Sequence, residues 1–151
     1  MIIKYKRLYY LLISLFIFFG DQISKYLISI NFNSIIGKDI FIFKFDLVKN
    51  YGAAFNLLSG NRLILSSISI LILIVLTYYI LIANNKVKLE LISCSFILAG
   101  TAGNGIDRIT KGYVIDFINL NIINFPVFNL ADIAINIGFV LFLYSLIRNQ
   151  K

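Results

Sequence analysis

The chain has 151 residues, of which 60% are hydrophobic and only 14% are charged. Soluble domains are usually about 45–50% apolar and about 25% charged, so this composition indicates an integral membrane protein. The length fits a single domain, which we expect to span residues 1–151. The net charge is +7, but the basic residues flank apolar segments and form no dense patch. This distribution argues against nucleic-acid binding.

The amino-acid types that the chain contains limit the reactions that it can catalyse. The chain contains no histidine and a single cysteine, Cys94. Catalysis by Ser-His or Cys-His pairs is therefore excluded, as are an internal disulfide and the common histidine-containing zinc sites. Carboxylates are the expected agents of any reaction that this protein catalyses.

Four apolar segments are long enough to span a bilayer, which requires about 20 mostly apolar residues. In chain order they lie at about Leu8–Ile28, Leu63–Ala83, Leu89–Asn104 and Phe128–Ile147. No small-residue cleavage signature follows the first segment, so we interpret it as a retained helix and not as a cleaved signal peptide.

Positive charges are concentrated at both ends of the chain and in the short turn between the second and third spans. The residues concerned are Lys4, Lys6, Arg7, Lys86, Lys88, Arg148 and Lys151. By the positive-inside rule, we expect both termini and this turn to be cytoplasmic. The two longer loops, from about Asn31 to Arg62 and from about Gly105 to Val127, are then expected to face outward.

Two stretches of the outer loops alternate between apolar and polar residues. Residues 40–47 place every second side chain on one face, and this period of two predicts a β-strand. The apolar set on that face is Phe41, Phe43, Phe45 and Leu47. A second alternating stretch surrounds Tyr113–Phe117. We therefore expect a small extracytoplasmic sheet that rests on the membrane.

Asp132 lies about one turn inside the fourth span, with Asn129 three positions before it and Asn136 four positions after it. This spacing places the three side chains on one predicted helix face. An ionised carboxylate costs about 2.5–3.5 kcal/mol at a membrane-helix centre, so such a residue usually has a function. Farther along the helix the face becomes apolar, which favours a pocket over a pore. A polar cluster that only holds helices together would explain the asparagines, but explains a lone aspartate poorly.

Further polar groups lie near the outer ends of the first and third spans. Asp21 and Lys25 have i,i+4 spacing, which favours a paired strut over direct catalysis. If the third helix continues, Asn104, Asp107 and Arg108 share a face. Asp107 and Arg108 could then form an ion pair or brace a loop, so this segment is at least as much structural as catalytic.

The first outer loop contains Asn50 followed by Gly52, Ala53 and Ala54. These small residues allow another chain to approach the backbone closely. The Asn50 amide could then hold a peptide bond, although any tight loop uses similar residues.

Asp116 is the second candidate acid, and a strand that dips toward the outer interface would bring it against Asp132. Two close carboxylates cannot both ionise cheaply, so they share a proton. The ionised member can activate water as a general base, while the protonated member donates to a scissile carbonyl. Sequence spacing alone does not establish that the two acids meet.

Five short sequence blocks occur along the chain in an order that is highly specific for one protein family. They are Asp21–Lys25, Asn50–Phe55, Gly103–Arg108, Gly112–Phe117 and Phe128–Asp132. Together they resemble the lipoprotein signal peptidase (signal peptidase II) family of the bacterial plasma (inner) membrane. The resemblance implies an intramembrane aspartic endopeptidase that cuts diacylglyceryl-modified prolipoproteins N-terminal to the lipidated cysteine. It also implies an outer β-structured cradle and no metal or cofactor.

The same resemblance assigns roles to individual residues, with Asp116 and Asp132 as the catalytic pair. Residues that match the supporting polar positions of the family are Asp21, Lys25, Asn50, Asn104, Arg108 and Asn129. We add Gly52 and Asn136 to the candidate site. The chain departs from the family pattern at Asn56, Gly105 and Ile133, which leaves loop shape and substrate preference open.

The expected fold is thus an all-α membrane protein, with four transmembrane helices and a small extracytoplasmic β-structured cradle. We expect a monomer among membrane lipids, with the active site toward the outer face. Three alternatives remain open. A transport subunit using Asp132 and Asn136 would need a polar path across the membrane. A scaffold would tolerate loss of both acids, and a Ser-Lys peptidase would use Lys25.

Overall fold

In the computed structural model, the described residues are 2–35, 37–53, 57–82 and 87–149. The helices in chain order are α1 (Ile2–Ile30), the single turn α2 (Phe32–Ile35), α3 (Arg62–Ile82), α4 (Lys88–Lys111) and α5 (Leu130–Asn149). By length and composition, the four long helices can each cross a membrane. The four predicted spans are therefore confirmed, and the protein is a mostly helical, multi-pass membrane protein.

The third span is longer than its sequence predicts. Its apolar run suggests an end at about Asn104, whereas α4 continues to Lys111. The expected outer loop from about Gly105 is therefore wrong for residues 105–111, which are helical. The helix ends at Gly112, which has a φ of 84° and donates its backbone N–H to the Arg108 carbonyl. This left-handed conformation favours glycine at a helix C-terminus.

Three strands form an antiparallel sheet in the order β1 (Asp39–Ile40), β2 (Phe43–Asn50) and β3 (Val114–Leu120). The sheet packs on the bundle through a cluster of Ile28, Ile115 and Phe117. The second alternating stretch is confirmed as β3. The predicted strand over residues 40–47 is instead a tight hairpin.

The turn of this hairpin corrects one of the predicted sheet residues. Phe41 lies between β1 and β2, has a φ of 37° and is 93% exposed. It therefore does not share the packed face with Phe45, whose ring stacks on that of Phe117. A period of two identifies a strand but carries no signal for a turn within it.

Helix α4 is the centre of the bundle. In its membrane-spanning window 67% of the residues are buried, compared with 22% in each of the other three spans. Small residues make this possible: a Cβ added at Gly100 would lie 2.3 Å from the Ala131 carbonyl oxygen, and one at Gly138 would lie 2.7 Å from the Ser93 carbonyl oxygen. These two contacts show that α4 and α5 pack closely in antiparallel orientation.

Candidate active site

Asn129 and Asp132 form a reciprocal cap at the start of α5. The backbone N–H of Asp132 donates to Asn129 Oδ1 at 3.0 Å, and the backbone N–H of Asn129 donates to Asp132 Oδ2 at 3.1 Å. This is the capping-box arrangement, built here from an asparagine and an aspartate. Asn129 therefore precedes α5, which corrects its predicted place on the helix face. The cap fixes the Asp132 carboxylate in the first turn.

Asn129 also contacts the other candidate acid, Asp116 on β3. Its side-chain amide donates to Asp116 Oδ1 at 2.6 Å, and the Asn50 amide donates to Asp116 Oδ2 at 2.9 Å. Asp116 is 2% exposed. The structure thus places both acids around one asparagine, as the sequence hypothesis requires. The Asn50 amide binds this carboxylate, and its contact with a substrate peptide bond stays a prediction.

Asn104 connects Asp132 to the interior of the bundle. Its amide N–H donates to Asp132 Oδ1 at 2.8 Å, while its Oδ1 accepts from the Lys25 ammonium at 3.0 Å and from Asn129 at 3.1 Å. One side chain on α4 therefore links α1, the cap of α5 and a candidate acid. Neutral amides orient both carboxylates without adding a charge beside them.

Lys25 is completely buried and lies behind Asn104. Its ammonium is 2.8 Å from Asp21 Oδ2 and 2.9 Å from Asp107 Oδ2. The predicted strut between Asp21 and Lys25 is thus present. Lys25 is absent from the residues that line the large cavity described below, and its ammonium is held by three oxygens. This arrangement argues against Lys25 as the base of a Ser-Lys peptidase.

Asp107 belongs to this network, although the sequence did not place it in the candidate site. It is fully buried and also pairs with Lys111 at 2.7 Å. The suggested ion pair with Arg108 is wrong, because Arg108 Nη2 instead donates to the Gly52 carbonyl at 2.8 Å. The alternative role for Arg108, bracing a loop, is the one that the structure shows. The sequence feature that could have identified Asp107 is its position one turn after Asn104, once the third helix is taken to continue past Asn104.

Asp21 has a second role, because it anchors the start of α5. Its Oδ1 accepts the backbone N–H of Ala131 at 2.9 Å, next to Asp132. The space for this carboxylate exists because Gly103 has no side chain: a Cβ there would lie 2.5 Å from Asp21 Oδ2. Gly103 was part of a recognised sequence block, but its contact with Asp21 carries no sequence signal of its own.

Gly103→Ala is expected to destabilise the protein by about 1–3 kcal/mol, because the added methyl group displaces a buried, paired carboxylate. Activity should fall with it, since Asp21 holds the first turn of α5. Thermal unfolding in detergent and an activity assay measure the two effects. Gly20→Ala is the matched control: nothing lies within 4 Å of its added Cβ, and alanine favours a helix by about 0.5–1 kcal/mol. Equal stability of the two variants would contradict the proposed contact.

Both acids line one cavity of about 680 Å³. Its polar lining consists of Lys49, Asn50, Tyr51, Asn104, Arg108, Asp116, Asp132 and Asn136, together with Ser69 and Thr101. Apolar residues from α3 and α5, such as Ile68 and Ile135, complete the walls. The volume is typical of sites for small ligands or short peptide segments, which span about 300–1,000 Å³. Asn136 donates to the Asp132 carbonyl oxygen at 3.0 Å.

The electrostatics of the cavity favour retention of a proton by the acid pair. The pKa of Asp116 is raised from 3.8 to about 6, chiefly because burial disfavours the charged form. The negative charge of Asp132 acts in the same direction, while the hydrogen bonds from Asn50 and Asn129 oppose it. Among the described residues, no group of three or more carboxylate or thiol side chains has the arrangement of a metal site.

The fold agrees with solved structures of bacterial membrane enzymes. One aligns with a TM-score of 0.84 over 94% of this chain and 89% of its own, at 33% sequence identity. A second aligns with a TM-score of 0.78 over 91% of each chain, at 34% identity. The protein is therefore, by class, a multi-pass membrane enzyme.

The sequence comparisons define the family. The model of the Peptidase_A8 family, described as signal peptidase (SPase) II, matches residues 13–148. A lipoprotein signal peptidase of Microcystis aeruginosa is 42% identical over 130 residues, which cover 83% of each chain. One of Lactobacillus johnsonii is 36% identical over 151 residues, which cover 98% of each. The chain belongs to the signal peptidase II family, and it is a membrane enzyme that removes signal peptides from prolipoproteins.

Proposed function

We propose that Asp116 and Asp132 form the catalytic dyad of this enzyme, and that it cuts N-terminal to a cysteine that carries diacylglycerol. The observation that supports this most directly is the bridging position of Asn129. Its amide lies 2.6 Å from one carboxylate and its backbone N–H lies 3.1 Å from the other, and both acids line one cavity.

The dyad begins the reaction with one ionised and one protonated carboxyl group. The ionised acid takes a proton from water, whose oxygen attacks the scissile carbonyl carbon, while the protonated acid donates to the carbonyl oxygen. The tetrahedral intermediate then collapses and the C–N bond breaks. The proton taken from water passes to the leaving amine, and the proton on the intermediate's hydroxyl returns to the other acid, which restores the pair.

The surrounding residues have supporting roles in this mechanism. Asn50, Asn104 and Asn129 orient the two carboxylates through amide N–H groups. Arg108 fixes the loop at Gly52 beside the cavity. All of these groups come from one chain, which supports a monomer as the functional unit.

The lipid on the substrate is expected to be necessary for efficient cleavage. The acids lie where α4, α5 and the sheet meet, and an acyl anchor in the surrounding bilayer would concentrate and orient the cysteine there. The test uses purified protein in detergent and one prolipoprotein, prepared with and without its diacylglyceryl group. A gel shift should report signal-peptide removal from the lipidated form only. Equal rates for the two forms would refute the requirement.

We further propose that both termini are cytoplasmic and that the cavity opens toward the outer face of the bacterial plasma membrane. The basic residues of the end segments support this orientation. The only cysteine, Cys94, is 2% exposed, so a Cys94→Ser background suits cysteine labelling. In intact cells, a membrane-impermeant maleimide should label Lys44→Cys on β2, and should label Arg148→Cys on α5 only after lysis. The reverse pattern would overturn the orientation.

A further inference from the structure

Three polar side chains on the helices that line the cavity have no role in the catalytic mechanism. Thr101 lies one turn before Asn104 on α4, and Asn136 lies one turn after Asp132 on α5. Since the two helices are antiparallel, both side chains lie one turn deeper in the bundle than the acids, away from the sheet. Ser69 on α3 lines the same cavity. We call Ser69, Thr101 and Asn136 the polar floor.

The polar floor has hydrogen-bonding capacity that the protein leaves unused. Thr101 is only 7% exposed, and its hydroxyl has no partner in the part of the chain that the structure describes. Asn136 donates one N–H to the Asp132 carbonyl oxygen, which leaves its Oδ1 and its second N–H facing the cavity. Ser69 donates to the Leu65 carbonyl at 3.0 Å, so its oxygen can still accept.

The surroundings make the unused capacity of Thr101 costly. The walls beside the polar floor are Leu65, Ile68, Ile72 and Ile135. Thr101 is buried, so its hydroxyl costs free energy unless it is hydrogen-bonded, whereas Asn136 is exposed and carries no such cost. The floor offers both donors and acceptors, so the best partner is a group that donates and accepts at once. A hydroxyl group meets this condition, whereas an ester carbonyl of the lipid only accepts and would leave the Asn136 oxygen unpaired.

We propose that Thr101 and Asn136 form a subsite for a serine or threonine side chain of the signal peptide, and this rests on the proposed catalytic dyad. One helical turn spans about 5.4 Å, and an extended peptide advances about 3.3 Å per residue. The subsite therefore lies about two residues from the scissile bond. The signal peptide is the part of the substrate that continues into the membrane, so the residue is the second one before the cleavage site.

The subsite makes Thr101 and Asn136 specificity-determining residues. A site built to hydrogen-bond a hydroxyl rejects the analogue that lacks it, because the protein groups are then left unpaired. Threonine and valine have nearly the same shape, so they form a matched pair of substrates. We expect about a tenfold higher kcat/KM for threonine than for valine at this position, equivalent to one hydrogen bond.

The experiment measures kcat/KM for two lipidated peptides that differ only in threonine or valine at the second position before the cysteine. It uses the full-length protein in detergent. Thr101→Val and Asn136→Leu should bring the ratio close to one, mainly by slowing cleavage of the threonine peptide. Thr101→Ser, which keeps the hydroxyl, should retain the preference. The control is Thr110→Val on the exposed face of α4, where the hydroxyl donates to the Ile106 carbonyl; its ratio should equal that of the wild type.

Three results would overturn the subsite. They are a wild-type ratio of one, a ratio unchanged by both substitutions, and an equal loss on both peptides, which would place the contact on the peptide backbone or the lipid ester. Failure of the dyad is detected separately in the same assay, as cleavage that persists in Asp132→Asn. If only the subsite proposal is wrong, Asp132→Asn is still inactive, but the wild type cleaves the threonine and valine peptides equally well.

Discussion

Asp116→Asn and Asp132→Asn are each expected to lower kcat by about 10⁴-fold or more, the scale at which removal of an essential catalytic group acts. Asparagine preserves the shape of the side chain and one of its two acceptor oxygens, but it can neither share the proton nor act as a base. The double variant should be no less active than either single variant, because each acid is useless without the other. Gel-shift cleavage of a lipidated prolipoprotein measures these losses.

The control for this prediction is Asp46→Asn. Asp46 lies on β2, accepts a hydrogen bond from Asn119 at 2.5 Å and does not line the cavity, so the variant should cleave at the wild-type rate. The variants of the two acids should stay folded, since they remove a buried charge that is costly in itself. Near-normal cleavage by either single variant, with contaminating peptidase excluded, would refute the dyad.

The cleavage rate of the wild-type enzyme should also fall as the pH is raised. The pKa of Asp116 is about 6, above its ordinary value of 3.8. The pair therefore holds its shared proton at lower pH and loses it as the pH rises. The pH at which the rate falls is a property of the pair as a unit, because two interacting acids titrate together.

The span pattern could be predicted because it depends on local composition. Runs of apolar residues of sufficient length identified all four membrane helices, and period-two alternation located β3. The end of α4 could not be found in this way. Residues 105–111 contain Asp107, Arg108 and Lys111, which read as a polar loop. They remain helical because Asp107 is buried against Lys25 and because Gly112 ends the helix about two turns later than the apolar run.

The candidate site could likewise be predicted only in part from the sequence. The identities of Asp116 and Asp132 followed from the cost of carboxylates near a membrane and from family resemblance. The contacts that hold them did not follow, because Asn129 acts through a cap and Asp21 acts on a backbone N–H of another helix. Such partners are separated by as many as 110 positions in the chain. Their proximity depends on how closely α4 packs on its neighbours.

Lys25, the buried cation, is the other residue whose substitution should have a large effect. Lys25 holds Asp21 and Asp107, whose side chains are 1% and 0% exposed. Lys25→Met would remove the only cation that pairs with Asp21 among the described residues, and it would leave Asp107 paired with Lys111 alone. Removal of one partner from a buried ion pair typically costs about 3–5 kcal/mol. We therefore expect a large fall in unfolding temperature, measured in detergent by a thermal scan.

Lys111→Met provides the matched control, because Lys111 also pairs with Asp107 but its side chain is 37% exposed. Exposed ion pairs contribute about 0–1 kcal/mol, so this variant should remain close to the wild type. Combining Lys25→Met with Asp21→Asn and Asp107→Asn removes the uncompensated charges and should recover much of the lost stability. If the triple variant is no more stable than Lys25→Met, lost packing of the lysine side chain explains the effect. If Lys25→Met matches Lys111→Met, the buried network does not stabilise the bundle. Recovery of stability without recovery of activity would show that the charges of this network also act on the acids, through Asn104 and the start of α5.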